Sequence, residues 1–390
     1  MTTLFGPLLW MVSLFLIFYI YLGYPLLLFL FSLNRLPKEP VGEPQDWPSV
    51  SIIISAYNEE GVIEGKMKNT LELDYPPEKR EVWVASDGST DRTNLLAARY
   101  QDQGVRLFLK EERQGKSALL NKVIPKTNGE ILIFTDANAF FDRSALRNLV
   151  LNFQDEKIGF VTGRTRYHCR AGNSVGETTG LYSRYEWYLK QKESLVNSCV
   201  GADGAIFAIR KKLYTPLRPS DLNDLTIPLQ IIRKGYRGRM EAQAAAWEDA
   251  SSQIEGEVNR QIRITNRTLR ALYRNRTLLN PFHDPVFAWQ LFSHKLLRLM
   301  SPFFMITLFG SNLIAAGRGR IYFLFLCLQL AFYCLALLGS RAEGKKGTFS
   351  SAVRIPYHFM LMNGAMMRGW LRCFSRNRDV LWTPGRMGNG

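Results

Sequence analysis

Four polar clusters interrupt the apolar runs of this 390-residue chain, and a cationic group follows them. Ala56-Tyr57-Asn58-Glu59-Glu60 comes directly after VSIIIS, and Ser86-Asp87-Gly88-Ser89-Thr90-Asp91 after EVWVA. Asp136-Ala137-Asn138 ends the run ILIFT, and Asn223-Asp224 opens a helical pattern. Arg260, Arg263, Arg267 and Arg270 recur along one further helix. Asp136 and Asn138 offer hard oxygen donors of the kind Mg²⁺ or Mn²⁺ prefers. A nucleoside diphosphate leaving group gains negative charge as it departs, and a divalent cation, arginines or both can stabilise it. An attacking hydroxyl needs a carboxylate base within hydrogen-bond reach. Asp224 lies on a different element from Asp136 and is placed to be that base.

These clusters have to be positioned by the elements that precede them. Residues 50–55 and 131–135 are short, apolar and rich in β-branched types, which marks buried strands, and 81–85 and 105–109 read as two further strands. Helical patterns over 61–73, 92–100 and 117–123 alternate with them. Strand–helix repeats of about 30 residues predict a mostly parallel α/β sheet with right-handed crossovers. In such sheets ligands bind at the carboxyl ends of the strands. Three of these strands end in clusters containing a carboxylate, so Glu59, Asp87 and Asp136 are expected to converge. The second half is less regular. It offers strands at 159–165 and 206–209, an aromatic helix at 176–196, a helix at 222–234 stopped by Gly235, extended pieces at 236–240 and 242–247, and a basic helix at 257–273.

Plainer roles stand beside these. Asp136 could cap the helix that begins near Ser144, and Glu59 and Glu60 could favour a helix dipole. Asp87-Gly88-Ser89 could be an ordinary turn. Asp224 could be an N-cap or first-turn acid, and Lys116 a surface lysine. The arginine stripe could be a solvated face or a membrane contact. The helix carrying Tyr182, Tyr185, Trp187 and Tyr188 reads as core or interfacial packing. Asp203 reads equally as a turn residue and is left out of the catalytic set. His168, His283, His294 and His358 are isolated and receive no role.

Composition adds a membrane. Apolar residues make up 46% of the chain and net charge is +16, with basic residues flanking apolar runs rather than forming a nucleic-acid groove. Residues 4–33 carry no charge and exceed the roughly 20 needed to cross a bilayer. That stretch is too long, and its start too poor in Lys and Arg, for a signal peptide, so it reads as a retained anchor. Arg35 and Lys38 follow it, which places the next segment in the cytoplasm. The expected organisation is an anchor at 1–33, a proline-bearing linker at 34–48 (Pro40, Pro44, Pro48), a cytoplasmic domain at 49–280 and a membrane region at 281–390. That last region has spans at 296–316 and 321–338, an interfacial or re-entrant segment at 355–371, and a basic tail with Arg376, Arg378 and Arg386. Five scattered cysteines, including Cys169, form no CxxC or Cys/His cluster.

SIIISAYNEE, VASDGSTDRT, the Gly115-Lys116 helix start, FTDANAFF, GADGAIFAIRK, LNDLTIPLQIIRKGYR and RQIRITNR stand in that order along the chain. Together they resemble the successive motifs of membrane-bound, inverting family 2 glycosyltransferases, the cellulose- and hyaluronan-synthase-like enzymes. The resemblance covers about 50–270. It implies a GT-A fold, Rossmann-like with a mostly parallel sheet, flanked by transmembrane helices. It also implies a UDP-sugar donor, an Mg²⁺ or Mn²⁺ ion, and a glycan or lipid-linked acceptor in polysaccharide or glycolipid synthesis. Carried over by position, Ala56, Tyr57 and Glu59 line the nucleoside pocket, Asp87 contacts base or ribose, and Lys116 lies beside it. Asp136 sits at the diphosphate and metal with Asn138, and Arg260 and Arg263 hold the diphosphate. Gly201, Ala202 and Gly204 border the acceptor, and Asp224 is the base. Partners implied are the bilayer, a homo-oligomer or polysaccharide-export subunits. Two departures stand out: the DxD signature reads Asp136-Ala137-Asn138, and QxxRW reads Arg260-Gln261-Ile262-Arg263-Ile264. The first makes an inactive nucleotide-binding membrane subunit the alternative; the second argues against long-chain processive synthesis.

Overall fold

A computed structural model describes residues 2–35, 42–168, 174–250, 253–342 and 351–375. Lys38 and Pro40 of the linker, Cys169, and the tail arginines 376, 378 and 386 lie outside the described residues. The chain begins with α1 (Thr2–Phe18), a wider helical turn (Tyr19–Gly23) and α2 (Tyr24–Ser32). There follow β1 (Val50–Ala56), α3 (Ile63–Leu71), β2 (Arg80–Asp87), α4 (Thr93–Ala98), β3 (Val105–Lys110), α5 (Lys116–Val123) and β4 (Ile131–Asp136). Next come β5 (Phe140–Phe141), α6 (Ala145–Leu151), β6 (Ile158–His168), α7 (Ser174–Val196), β7 (Phe207–Arg210), α8 (Asn223–Arg233), β8 (Arg237–Asp249) and α9 (Ile254–Arg274). The chain continues through α10 (Pro285–Leu291), α11 (Ser301–Ala315), α12 (Arg320–Ala342) and α13 (Ser351–Phe374).

All eight strands form one sheet in the order β3-β2-β1-β4-β7-β6-β8-β5. The first four are parallel; β7 runs antiparallel to both β4 and β6, and β6 and β8 are parallel. β1 is buried along its whole length, as its unbroken apolar run requires. Its alternate residues serve two cores. Val50, Ile52 and Ile54 meet Ile63 and Met67 of α3 and Leu146 of α6, whereas Ile53 meets Leu119 and Leu120 of α5 and Ile227 of α8. The sheet is thus sandwiched between helical layers. Register aligns the strand ends: Ser55 of β1 is level with Ala85 of β2 and Asp136 of β4. The polar clusters after β1, β2 and β4 therefore share one edge.

The two extended pieces expected at 236–247 are a single strand, β8, whose ladder with β6 shifts register between Thr162 and Arg164. A bulge there continues pairing past the irregular stretch, which local pattern alone divides in two. Short β5 escaped the sequence reading because two residues carry no periodicity.

Among the described residues two helices are long and apolar enough to cross a membrane, Gly6–Ser32 and Arg320–Arg341. Pro285–Leu297 and Ser301–Arg318 form a third candidate, bent by 65°. The apolar stretch at 355–371 lies within α13, which packs lengthwise on α9: a Cβ built on Gly369 would stand 2.5 Å from Thr265 Cβ. Leu225 and Leu229 of α8, Leu269 and Leu272 of α9, Phe287 of α10 and Met366 of α13 share one core. Tyr24 and Leu28 of α2 pack with Leu189 and Val196 of α7. The candidate membrane helices and the sheet domain are thereby joined through side chains, not only through linkers.

Candidate active site

The site is assembled at the aligned strand ends. The loop after β1 is tied to the loop after β2. Thr90 N–H donates to Asn58 Oδ1 at 2.8 Å, Glu59 N–H donates to Thr93 Oγ1 at 2.8 Å, and Arg92 donates to Glu60. Asn58 adopts φ 51°, the left-handed turn that reverses the chain there. Glu59 is buried. Asp87 receives two backbone donors, Gln114 N–H on Oδ1 at 2.8 Å and Gly115 N–H on Oδ2 at 2.7 Å. Its carboxylate thus holds the loop before α5 in place. Gly88, at φ 73°, lets that loop close in; a Cβ there would stand 2.9 Å from Arg113 N.

That loop carries a residue the sequence reading missed. The Arg113 guanidinium lies 3.6 Å over the ring of Tyr57, and its Nε and one Nη are buried without a hydrogen-bond partner. Buried guanidinium donors are normally satisfied, so an unpaired pair beside the proposed nucleoside pocket points to a ligand. The only available signal was its position just before Gly115-Lys116.

α5 starts at Lys116, which swings its Nζ to within 2.5 Å of Asp136 Oδ1. Lys116 is therefore no plain surface residue, and Asp136 is no helix cap. Beneath them a second residue was missed. Lys66 of α3 is fully buried, donates to Thr135 Oγ1 at 3.0 Å and to the Ala139 carbonyl, and so grips the chain on both sides of Asp136-Ala137-Asn138. Burial lowers its pKa to about 7 against the opposing pull of Asp136 and Glu248. Nothing in an isolated lysine on a helix marks it as buried.

Asp224 sits in the first turn of α8 but caps nothing: its Oδ1 is buried and has no hydrogen-bond partner. Burial pushes its carboxyl above the ordinary carboxylate range, while Lys116 and Lys190 pull the other way. Three residues expected at the acceptor edge surround it. The Ala202 N–H donates to the Asp224 carbonyl at 2.8 Å. Cβ atoms built on Gly201 and Gly204 would stand 3.4 Å from that carbonyl oxygen and 3.1 Å from Asp224 Oδ2. Gly204 thus leaves the carboxylate uncovered. Asp203, by contrast, is a turn residue, accepting from Thr165 N–H, Thr165 Oγ1–H and Ala205 N–H. A cleft of about 590 Å³ opens beside Thr165, walled by Arg164 and Trp187, whose Nε and Nε1 have no partner.

Arg260 is gripped by Glu257 on its own helix, Nε to Oε2 at 2.8 Å and Nη2 to Oε1 at 2.7 Å. Burial would raise the Glu257 carboxyl, but Arg260 and then Arg263 hold it below its usual range. A diphosphate would have to compete with Glu257 for Arg260. Farther along the stripe, Arg267 is buried and Arg274 is paired with buried Asp221. The stripe is thus packed at Arg267 and half-exposed at Arg260, Arg263 and Arg270.

A divalent ion fits this edge in one respect and not as a closed cage. Asp136 keeps a second carboxylate oxygen beyond the one facing Lys116, and Asn138 is half-buried alongside. Among the described residues no group of three or more His, Cys, Asp or Glu could hold a metal. Mg²⁺-type ions commonly take one or two protein oxygens and complete their shell with substrate phosphates and water. Asp136 and Asn138 would hold such an ion, which would neutralise diphosphate charge.

Residues 51–216 match the family model described as Glycosyl transferase family 2. They form a family 2 glycosyltransferase domain. Along 121 residues the chain is 41% identical to a beta-monoglucosyldiacylglycerol synthase from Nostoc, covering 30% of this chain and 26% of that protein. Along 223 residues it is 26% identical to a poly-beta-1,6-N-acetyl-D-glucosamine synthase from Staphylococcus aureus, covering 56% and 53%. The chain thus spans about half or less of these curated relatives. A mannosyltransferase from Pyrobaculum calidifontis, solved with GDP-Man and Mn²⁺, superimposes with a TM-score of 0.69 over 95% of this chain and 99% of its own, at 22% identity. At that identity the likeness establishes the GT-A fold. The glycosyltransferase domain is therefore related to glycolipid and polysaccharide synthases and is accompanied by two to three candidate membrane helices.

Proposed function

We propose that this chain transfers a sugar, with inversion, from a nucleotide-sugar to a hydroxyl of a glycan or lipid acceptor at the cytoplasmic face of a membrane. The observation that carries the reading is Asp224: a half-buried carboxylate whose Oδ1 is buried without a hydrogen-bond partner and whose pKa is raised, bordered by two glycines and within the field of Lys116. The acceptor hydroxyl gives its proton to Asp224 while its oxygen bonds to the anomeric carbon. The bond from that carbon to the diphosphate breaks, and its electron pair leaves with the diphosphate oxygen. Tyr57, Glu59, Asp87 and Arg113 frame the nucleoside; Lys116 and Asp136 face the diphosphate, with Arg260 and Arg263 closing over it. Gly201, Ala202 and Gly204 leave room for the acceptor.

The sequence resemblance favours a UDP-sugar, and the fold neighbour was solved with GDP-Man. The deciding experiment is a screen of UDP- and GDP-sugars for nucleoside diphosphate release by the purified protein, with and without Mn²⁺. Release from one donor that rises with Mn²⁺ and acceptor supports the reading. Nucleotide binding without release from any donor would leave the domain a binding subunit.

A further inference from the structure

The glycines that border Asp224 belong to a strap, residues 199–204, which connects α7 to β7. The strap is fixed through its main chain. The Val200 N–H donates to Glu193 Oε2 at 3.3 Å, and the Asp203 N–H donates to Thr162 Oγ1 at 2.7 Å. Ala202, between them, is held twice. Its N–H donates to the Asp224 carbonyl at 2.8 Å, and its carbonyl accepts from Lys190 Nζ at 3.0 Å. Ala202 therefore stands between a lysine of α7 and the main chain of the base.

Lys190 is buried and makes no ion pair among the described residues. Glu193, one turn along α7, is engaged elsewhere, by Tyr24 Oη–H, His294 Nδ1 and the Val200 N–H. A neutral donor would satisfy a strap carbonyl equally well, whereas a buried ammonium is costly unless an anion answers it. The anion in its field is Asp224. Burial favours the protonated form of that carboxyl, which cannot serve as a base. Lys116 of α5 opposes this most, then Lys190; Asp203 of the strap reinforces it, and Lys295, between α10 and α11, opposes it weakly. Lys116 is already paired with Asp136, and a donor diphosphate would draw on it further. Lys190 has no such second claim.

We infer that Lys190 is a positioning residue of the transfer: it ties the Ala202 carbonyl to α7, which sets the place of the acceptor strap, and it keeps a buried positive charge in the field of Asp224. The inference rests on the glycosyltransferase reading and adds the group that fixes its acceptor wall. α7 itself is seated on α2, where Leu189 and Val196 pack with Tyr24 and Leu28. The place of the strap relative to the base is thus tied to the contact between α7 and the N-terminal helix.

The test uses the full-length protein in detergent micelles. Lys190→Met removes the hydrogen bond and the charge, and Lys190→Arg keeps the charge. Infrared difference spectra against Asp224→Asn, recorded across pH, isolate the Asp224 carboxyl band and need no acceptor. Lys190→Met should move its midpoint up by about one pH unit, the low end of what a nearby opposite charge gives, and Lys190→Arg should return it most of the way. Transfer is followed with the donor found by the screen and two probe acceptors, dioleoylglycerol and a soluble N-acetylglucosamine oligosaccharide. For the probe that is used, Lys190→Met should lower kcat/KM about tenfold, the loss of one charge-assisted hydrogen bond in the wall. UDP and GDP affinities, measured by calorimetry, should stay within about twofold of the parent. An unmoved Asp224 midpoint in Lys190→Met would overturn the inference, as would nucleotide affinity lost in step with transfer, the mark of a merely structural lysine. If the methionine variant does not fold, Lys190→Gln is read in the same way: a raised midpoint is expected, and an unmoved one overturns the inference. A raised midpoint in a protein that transfers sugar from no donor would defeat the glycosyltransferase reading and leave the coupling of Lys190 to Asp224 standing. An unmoved midpoint in an active transferase would defeat this inference alone.

Discussion

Asp224→Asn separates chemistry from architecture at this site. The substitution keeps the shape of the side chain. Oδ1 has no partner to lose, and the Ala202 bond goes to the Asp224 main chain, which the substitution leaves intact. What disappears is the ability to take a proton. A positioned general base contributes about 10²–10⁴ in rate, equivalent to roughly 2.7–5.4 kcal/mol of barrier. The turnover number for transfer should fall by that factor, while nucleoside diphosphate affinity, measured by calorimetry, stays within about twofold of the parent because the base acts on the acceptor. Stability should move in the opposite direction. A carboxyl whose pKa is raised on folding loses its proton more readily in the unfolded chain, so above its ordinary value of 3.8 the folded state is disfavoured as pH rises through the raised value. At neutral pH the amide removes that cost, and the variant should melt at the same temperature or higher. A parallel loss of nucleotide affinity, or a lower melting temperature, would refute the reasoning by making Asp224 a structural residue.

Lys116 is the largest opposing charge at Asp224, so Lys116→Met should raise the Asp224 carboxyl further and move the acidic limb of kcat/KM to higher pH; an unmoved limb would show that the two groups are not coupled. Lys66 has its pKa lowered to about 7 from 10.5 on folding, so between those values the unfolded chain binds the extra proton and stability rises with pH. Its contribution reaches at most about 1.4 kcal/mol per pH unit, and chemical denaturation of Lys66→Met across that window should lack this rise. Glu193 accepts from Tyr24 Oη–H at 2.6 Å and from Val200 N–H at 3.3 Å, and lies 2.6 Å from His294 Nδ1. Breaking such a buried network from one side costs about 3–5 kcal/mol, so Glu193→Ala should lower the melting temperature in detergent markedly, and an unchanged transition would show that the network does not join the domain to the membrane helices.

The parallel half of the sheet, and with it the edge at which the site lies, is legible in the residue pattern alone. Continuous apolar runs can be satisfied only as strands covered on both faces, and the parallel connections leave their polar ends on one side. The placing of Glu59, Asp87 and Asp136 followed from that alone. Asp224 was legible only as a carboxylate at a helix start. Its lack of a partner, and so its fitness as a base, depends on Gly204 and on burial by elements far away in the chain. Lys66 could not be read at all, and Arg113 only by its position just before Gly115-Lys116, because a buried cation and an exposed one look the same in one dimension. Arg260 shows the converse. Its type and position suggested a free diphosphate ligand, whereas the folded helix sets Glu257 against it one turn away. The packing of α13 along α9 was likewise a tertiary decision. An amphipathic segment specifies a face to be buried, but the surface that buries it comes from residues hundreds of positions away, whose contacts are not encoded in local periodicity.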